Sequence, residues 1–401
     1  MKNSVKLLAF LSVFVLMLFS GIACNKTGQS GKNSGDSDST LITPPYAVNE
    51  FVMGADLSYL NQILDKNGLY DSGADPYKIF KSAGTNVVRL RLWHDPSWIR
   101  DIYQNPEEKL YSGIEEMLEV SELVVEQGMD LCIDFHYSDN WADPSKQITP
   151  AAWENLDLET LMDSVYNHTY NSLNRLKMVG IIPAFVQIGN EINPGFLHPS
   201  GHLESNDWKD LGLLLNAGIK AVRDLYKEED QPEIIIHVAQ PENLRWFFTS
   251  LTIKAQVTDF EIIGLSYYSK WSSVGLQELD GYIRTARSDF DKELMVVETA
   301  FPWTLESDDS YPNIFSGMEP VSGYDISPQG QLQYMKDLCQ EIIDGGGMGV
   351  IYWEPGWISS DMITQWGKGS AWENCSFFDF TDNNSPLPVF DYMMFDYNFD
   401  K

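Results

Sequence analysis

Eight short runs of almost continuously apolar residues, separated by stretches of polar and helical character, constrain this 401-residue chain more than any other feature. The runs are Phe51–Asp56, Asn86–Trp93, Met129–His136, Ala184–Glu191, Glu233–Val238, Phe260–Tyr267, Leu294–Glu298 and Met348–Glu354. A strand with one wet face alternates apolar and polar residues. A parallel strand covered on both faces does not, so unbroken runs of this length point to a parallel sheet. Between them, Ile114–Glu126, Asp207–Tyr226 and Ser327–Ile343 repeat apolar residues at helical spacing. In the first, Met117, Leu118, Ser121 and Val125 form the inward face, and Glu115, Glu116, Glu119, Glu122 and Glu126 a solvated one. Ser327-Pro328 reads as a helix cap followed by proline in the first turn. Gly84, Gly128 and Gly180 stand just before strands, where a helix ends. Eight strand–helix units predict an α/β protein, a single (β/α)8 TIM barrel. A doubly wound sheet would want a phosphate-binding glycine turn. Gly345-Gly346-Gly347 lacks the Lys-Ser/Thr that such a turn needs, and reads as a helix stop.

The first fifty residues are of another kind. Lys2 and Lys6 precede an apolar run, Leu7–Phe19, too short for a spanning helix. Ser20-Gly21-Ile22-Ala23-Cys24 then resembles a bacterial lipoprotein signal, with Gly21 where Leu is usual. The expected division is a signal peptide at 1–23, a flexible Ser/Gly/Asn-rich tether at 24–47 and the barrel at 48–401. Cys24 would carry the lipid and hold a monomer on the cell envelope, facing the periplasm or the exterior. Cys132, Cys339 and Cys375 show no disulfide or zinc spacing and read as small buried hydrophobes. A net charge of −31 argues against nucleic acid and anionic lipid surfaces as partners. Twelve Trp and nineteen Tyr suit a neutral ligand such as a sugar, whose C–H faces lie against aromatic planes.

Catalytic residues of such barrels stand where strands end. The ends are rich here: Asp56; Arg89, Arg91, Trp93 and His94; Asp134, His136 and Tyr137; Gln187, Asn190 and Glu191; Tyr267 and Tyr268; Glu298; Trp353 and Glu354. Glu191 and Glu298 close the fourth and seventh strands, which two others separate, so they face each other across the barrel mouth. Glycoside hydrolysis needs such a pair, one carboxyl to protonate the leaving oxygen and one to attack the anomeric carbon. Asn190 is placed to meet a sugar 2-hydroxyl, and Arg89 or Arg91 to hold the nucleophile ionised. Asp56 is either a substrate contact or a support. His168, His202 and His237 have no metal-ligand spacing and read as surface or core residues. No organic cofactor is implied.

These stretches resemble glycoside hydrolase family 53, the endo-β-1,4-galactanases, within the large clan of retaining barrel glycosidases. The resemblance rests on Gly54-Ala55-Asp56, on Arg89 to Pro96, and on Asp134 to Pro144 with its Trp141-Ala142-Asp143-Pro144. It continues through Gln187 to Ile192, Ser266-Tyr267-Tyr268, Val297-Glu298-Thr299 and Tyr352 to Trp357. It implies Glu191 as acid/base and Glu298 as nucleophile, acting on galactan or type I arabinogalactan. Asn140, Trp141, Ala142 and Asp143 would line the cleft, with His94, His136, Asn190, Tyr267 and Trp353 near the cleaved bond. Asn140 replaces the usual Thr, and His198 stands where Trp is expected. Bacterial members bind structural calcium between the last two loops; the matching positions are Asp309, Asn313, the Ser370 carbonyl and Glu373, with Glu373 in place of Asp. Ser307 and Tyr311 replace an Asp and a His there. The rival readings are a mannanase or glucanase of the same clan, and a non-catalytic glycan-binding lipoprotein.

Overall fold

The ring begins at Val52, in a computed structural model that describes residues 51–203, 208–227, 230–317 and 321–399. The expected signal peptide, Cys24 and the tether lie outside the described residues. All eight apolar runs become strands: β1 (Val52–Asp56), β2 (Val87–Leu92), β3 (Asp130–Phe135), β4 (Phe185–Ile188), β5 (Glu233–Ala239), β6 (Ile262–Ser266), β7 (Glu293–Glu298) and β8 (Gly349–Tyr352). They pair in parallel and in chain order, and β8 returns to β1 to close the barrel. The fourth run is trimmed most, because Gly189 and Glu191 take positive φ, 84° and 48°, which no strand continues.

Strand alternation sorts the apolar residues into two layers. Val52, Val87, Cys132, Phe185, Ile235, Ile262, Met295 and Ile351, one from each strand, pack together inside the ring. Cys132 is therefore a small barrel-filling side chain, buried and unpaired, as are Cys339 and Cys375 in their own places. The intervening residues, among them Leu90, Ile133, Val186, Ile236, Leu265 and Val296, pack outward in the helix-side core. Each such side chain, fully buried, contributes roughly 1.5–3 kcal/mol. Two residues beyond the inner apolar layer, the same face of β2 to β5 carries Arg89, Asp134, Gln187 and His237. The barrel is dry at its base and polar at its mouth.

Among the described residues, seven helices of eight residues or more cover the strands: α1 (Pro76–Ala83), α2 (Ile114–Glu126), α3 (Leu158–Met178), α4 (Trp208–Leu225), α5 (Leu244–Ile253), α6 (Leu279–Phe290) and α7 (Pro328–Asp344). Ser327 caps α7 through its side chain, which accepts the Gly330 N–H. The helix expected after β8 is replaced by a 3-10 segment, Pro388–Met394, packed on α7 and α1. Phe390 wedges it there, 5.2 Å from the Phe80 ring and 5.1 Å from Phe377.

Two expectations about α2 are corrected. Glu116 is buried, not solvated, because it shares the i, i+4, i+8 row with Val120 and Val124. The Asn61 amide and the Ser112 N–H donate to its two oxygens at 3.1 and 3.0 Å. Val125, assigned to the inner face, is exposed. No helix among the described residues is long and apolar enough to cross a membrane.

Candidate active site

Glu298 is the last residue of β7, and Glu191 stands three residues beyond β4. Both open into one cleft of about 660 Å³, walled by Trp141, Trp353, Trp357, Trp366, Trp372 and Trp271. The two carboxyls live in different surroundings. Glu298 accepts from Arg89 Nη1 at 2.7 Å and from the Tyr268 hydroxyl at 3.1 Å. Burial, with Asp134 and Asp56 nearby, raises its pKa, and the guanidinium offsets only part of that rise. Among the described residues no cation touches Glu191; burial raises its pKa and the charge of Glu298 raises it further. The arrangement favours an ionised Glu298 beside a protonated Glu191.

Arg89 is the hub beneath them. Fully buried, it pairs with Asp56 and Asp134 at 2.9 Å each as well as with Glu298. Its Nη2 also donates to Asn190 Oδ1 at 2.8 Å. Asn190 Nδ2 gives one hydrogen to the Ala142 carbonyl at 2.8 Å, and the residue lines the cleft beside Glu191. Of the two arginines offered by β2, Arg89 is thus the one that meets the nucleophile candidate. Arg91 turns to Glu354 at 3.1 Å. Asp56, wholly buried under Arg89, is a support and not a substrate contact.

The structure brings Trp141, Ala142, Asp143, Asn190 and Trp353 to the cleft as the sequence suggests. Four other residues expected at the substrate, His94, His136, Asn140 and Tyr267, lie elsewhere, and Arg89 is not a substrate contact either. Arg89 lies below the cleft wall and acts on Glu298, since its two terminal nitrogens are committed to buried acceptors. His136 is buried, with Nε2 3.0 Å from Asp134 and Nδ1 accepting the Ala142 N–H at 3.0 Å, so it holds the loop instead of the sugar. His94 faces Asp139 at 3.3 Å and lines a separate pocket of about 460 Å³ with Trp153 and His168. Tyr267 points away, its hydroxyl donating to the Val274 carbonyl at 3.0 Å. Asn140 accepts from Lys146 Nζ at 2.8 Å at the edge of the Asp143 loop. His198 packs its ring on His202, 3.9 Å between centroids.

Two residues at the site are given no role by the sequence reading. Tyr268 supplies the contact expected of Tyr267. Alternation along β6 is the available signal, since Ser266 faces inward and so does the residue two beyond. His237, read as a surface or core residue, sits in the centre of the network, 2.9 Å from Asn190 Oδ1 and 2.8 Å from the Ser266 hydroxyl. Its place two residues above Ile235 on the inner face is what marks it.

Beside the cleft, Asp309, Asn313, Ser370 and Glu373 meet. The Ser370 N–H donates to Asp309 Oδ2 at 2.8 Å, and Asn313 Nδ2 lies 3.3 Å from Glu373 Oε1. The Ser359 hydroxyl bridges Asp309 and Glu373. Asn313 Oδ1 is buried without a hydrogen-bond partner among the described residues. Burial, and then Asp309, raises the Glu373 pKa. Two facing carboxylates and an orphaned amide oxygen fit a hard cation that takes oxygen ligands. Among the described residues no three His, Cys, Asp or Glu side chains gather; an amide and backbone oxygens would have to complete the set.

The model of Glycosyl hydrolase family 53 matches residues 52–393. An arabinogalactan endo-beta-1,4-galactanase of Cellvibrio japonicus is 38% identical over 372 residues, covering 91% of this chain and 94% of the relative. An endo-beta-1,4-galactanase of Bacillus subtilis is 31% identical over 384 residues, covering 86% of each. The Ignisphaera aggregans GH53 catalytic domain superposes with a TM-score of 0.79 at 34% identity, over 89% of this chain and 99% of that one. With the matched span beginning at β1 and ending inside the closing 3-10 segment, and with both carboxylates inside it, the chain belongs to glycosyl hydrolase family 53.

Proposed function

We propose that this chain is an endo-acting β-1,4-galactanase that works by double displacement with retention of configuration. The observation that carries the reading is the asymmetry of the two carboxyls on one Trp-walled cleft: Glu298 held by Arg89 and Tyr268, Glu191 touched by no cation among the described residues. Glu298 attacks the anomeric carbon while Glu191 protonates the departing glycosidic oxygen. Forming the ester removes the charge of Glu298. That charge is one cause of the raised Glu191 pKa, so its loss lowers the pKa, and Glu191 becomes the base that activates water. Asn190, with one amide hydrogen uncommitted beside Glu191, meets the sugar 2-hydroxyl. Half-exposed Trp366 and Trp271 extend the stacking surface on the β8 and β6 sides, as cutting within a chain requires.

Hydrolysis of purified galactan, followed by NMR at the anomeric centre, tests this. β-Configured ends should appear first, and Glu298→Gln should bind galacto-oligosaccharide without turning it over. Activity confined to mannan or cellulose would reject the substrate.

Two further proposals accompany the reading. The lipoprotein signal places the enzyme on the cell envelope through Cys24, and Cys24→Ser should release it to the soluble fraction; a variant that stays with membranes would reject the anchor. Asp309, Asn313, Glu373 and the Ser370 carbonyl would hold Ca2+, which would tie the last two loops together and take no part in the chemistry. A chelator should then lower the thermal midpoint, and an unchanged midpoint would count against the ion.

A further inference from the structure

A hydroxyl beside a carboxylate ordinarily donates to it and lowers its pKa. The Ser266 hydroxyl is within hydrogen-bonding reach of the Glu191 carboxyl, yet it has only one proton to give. Donor counting through the network shows where that proton goes. Arg89 Nη2 donates to Asn190 Oδ1 at 2.8 Å while Asn190 Nδ2 donates to the Ala142 carbonyl at 2.8 Å, which fixes the amide orientation. The atom 2.9 Å from His237 Nδ1 is therefore an acceptor, and Nδ1 must carry the hydrogen. The Glu191 N–H at 3.3 Å and Gln187 Nε2 at 3.2 Å would donate to Nδ1 in the opposite tautomer, and both contacts are longer. Gln187 Nε2 also has a stronger acceptor in Asp134 Oδ1, at 2.5 Å. Burial, with Arg89 nearby, holds His237 neutral. Its Nε2 is then a bare lone pair, 2.8 Å from Ser266 Oγ.

We infer that His237 and Ser266 are positioning residues that keep Glu191 protonated: His237 Nε2 takes up the Ser266 proton and leaves that hydroxyl able to accept from Glu191 but not to donate to it. The inference rests on Glu191 being the acid. A neutral Glu191 gains an acceptor for its own O–H. An ionised Glu191 faces the Ser266 lone pairs, unless the serine breaks its bond to His237. The other groups around Glu191 act separately: Glu298 from β7, Asp143 from the loop after β3 and Tyr268 after β6 disfavour its charge or lose by it, and Arg89 on β2 favours it. None of these donates to it directly in this structure.

The basic limb of the pH profile of kcat/KM, where the acid is lost, gives the test. In His237→Ala the serine proton is free to turn to Glu191, and the limb should fall by about one pH unit. In Ser266→Ala it should stay or fall slightly, and in the double variant the shift of His237→Ala should vanish. A limb that rises in Ser266→Ala means that the serine donates to the carboxylate, and overturns the proposal. A limb unmoved in His237→Ala does the same. Ser266→Ala removes a single oxygen and should fold, so it decides the matter even where His237→Ala does not fold. Glu191→Gln is run alongside: persistence of the wild-type limb there would overturn the assignment of Glu191 as the acid, independently of the serine.

Discussion

Two arginines, Arg89 and Arg91, stand on the same face of β2, and the chain uses them in opposite ways. Arg89 is surrounded by acceptors: Asp56 and Glu298 at Nη1, Asp134 and the amide oxygens of Gln187 and Asn190 at Nη2. Arg91 has one carboxylate, Glu354, and otherwise lies over rings, 3.9 Å from Trp141, 4.5 Å from Tyr59 and 4.8 Å from Trp93. Its Nε and Nη2 have no hydrogen-bond partner among the described residues. A guanidinium can do both jobs because it is planar, always charged and weakly hydrated. The difference assigns one arginine to the charge of Glu298, the proposed nucleophile, and the other to the aromatic wall. One rung along a strand, about 7 Å, separates chemistry from binding.

Breaking the Arg89 side should have the largest effect. Arg89→Met leaves three buried carboxyls without their cation, and Glu298 would be protonated at neutral pH. We expect kcat/KM on galactan to fall by at least about 10³-fold, the scale of losing a preorganised electrostatic contact. Stability should fall by about 3–5 kcal/mol, as when one partner of a buried pair is removed. Arg89→Lys, which keeps the charge but not the fork, should fold better and still lose most of kcat. Because Arg89 does not face the cleft, oligosaccharide binding by the folded Lys variant should persist; calorimetry showing binding lost while the fold is intact would break the division of labour.

Arg91→Met makes the converse test. Glu354, whose pKa burial and Asp56 already raise, would take up a proton and avoid an unpaired charge. The loss of one pair and of the ring contacts should cost about 3 kcal/mol of stability. KM should rise more than kcat falls, since Trp141 loses its backing. A fall in kcat as large as that in Arg89→Met would show that the two arginines form one functional unit.

Glu116 sharpens the comparison by giving a buried carboxyl no arginine at all. Burial raises its pKa to about 7 against the donors Asn61 and Ser112. The sign follows from proton binding: between about 4.5 and 7 the folded state holds a proton that the unfolded state has released, so stability falls as pH rises through that window. The fall amounts to at most about 3 kcal/mol. Glu116→Gln should remove this slope, being less stable than the parent near pH 4.5 and closing the gap by pH 8. Parallel slopes in urea titrations of the two proteins would contradict it.

The barrel was legible because burial on both faces leaves a direct mark, unbroken apolar runs, that no turn or loop imitates. Glu191, Glu298, Asn190 and the Trp141 loop were legible for a related reason: polar residues closing such runs have few other places to be. What the sequence hid was direction. Tyr267 and Tyr268 differ by one residue, and only the alternation of β6 decides which one reaches Glu298. His94 and His136 sit at strand ends like the carboxylates, but Asp139, from the loop after β3, and Asp134, two residues back on β3 itself, draw them out of the cleft. Glu116 looked solvated because its helix is acidic throughout, and its partners Asn61 and Ser112 lie far off in sequence or outside the helix. Pairing of this kind is a property of three dimensions.

The smallest expected effect concerns the outer end of the wall that Arg91 supports. Trp366 is 49% exposed and lies 27° from coplanar with Trp141 at 6.0 Å, so one face rests on the wall and the other is open. It touches neither carboxylate nor Arg89 in any hydrogen bond, and its own N–H backbone is held by Thr364 at 3.3 Å. Trp366→Ala should therefore leave the pH profile and kcat in place. It should raise KM on long galactan several-fold, about 1 kcal/mol of stacking, with a lesser effect on substrates too short to reach it. Equal losses on long and short substrates would place Trp366 next to the reacting sugar instead, and would mean that the aromatic wall reaches into the chemistry that Arg89 otherwise keeps to itself.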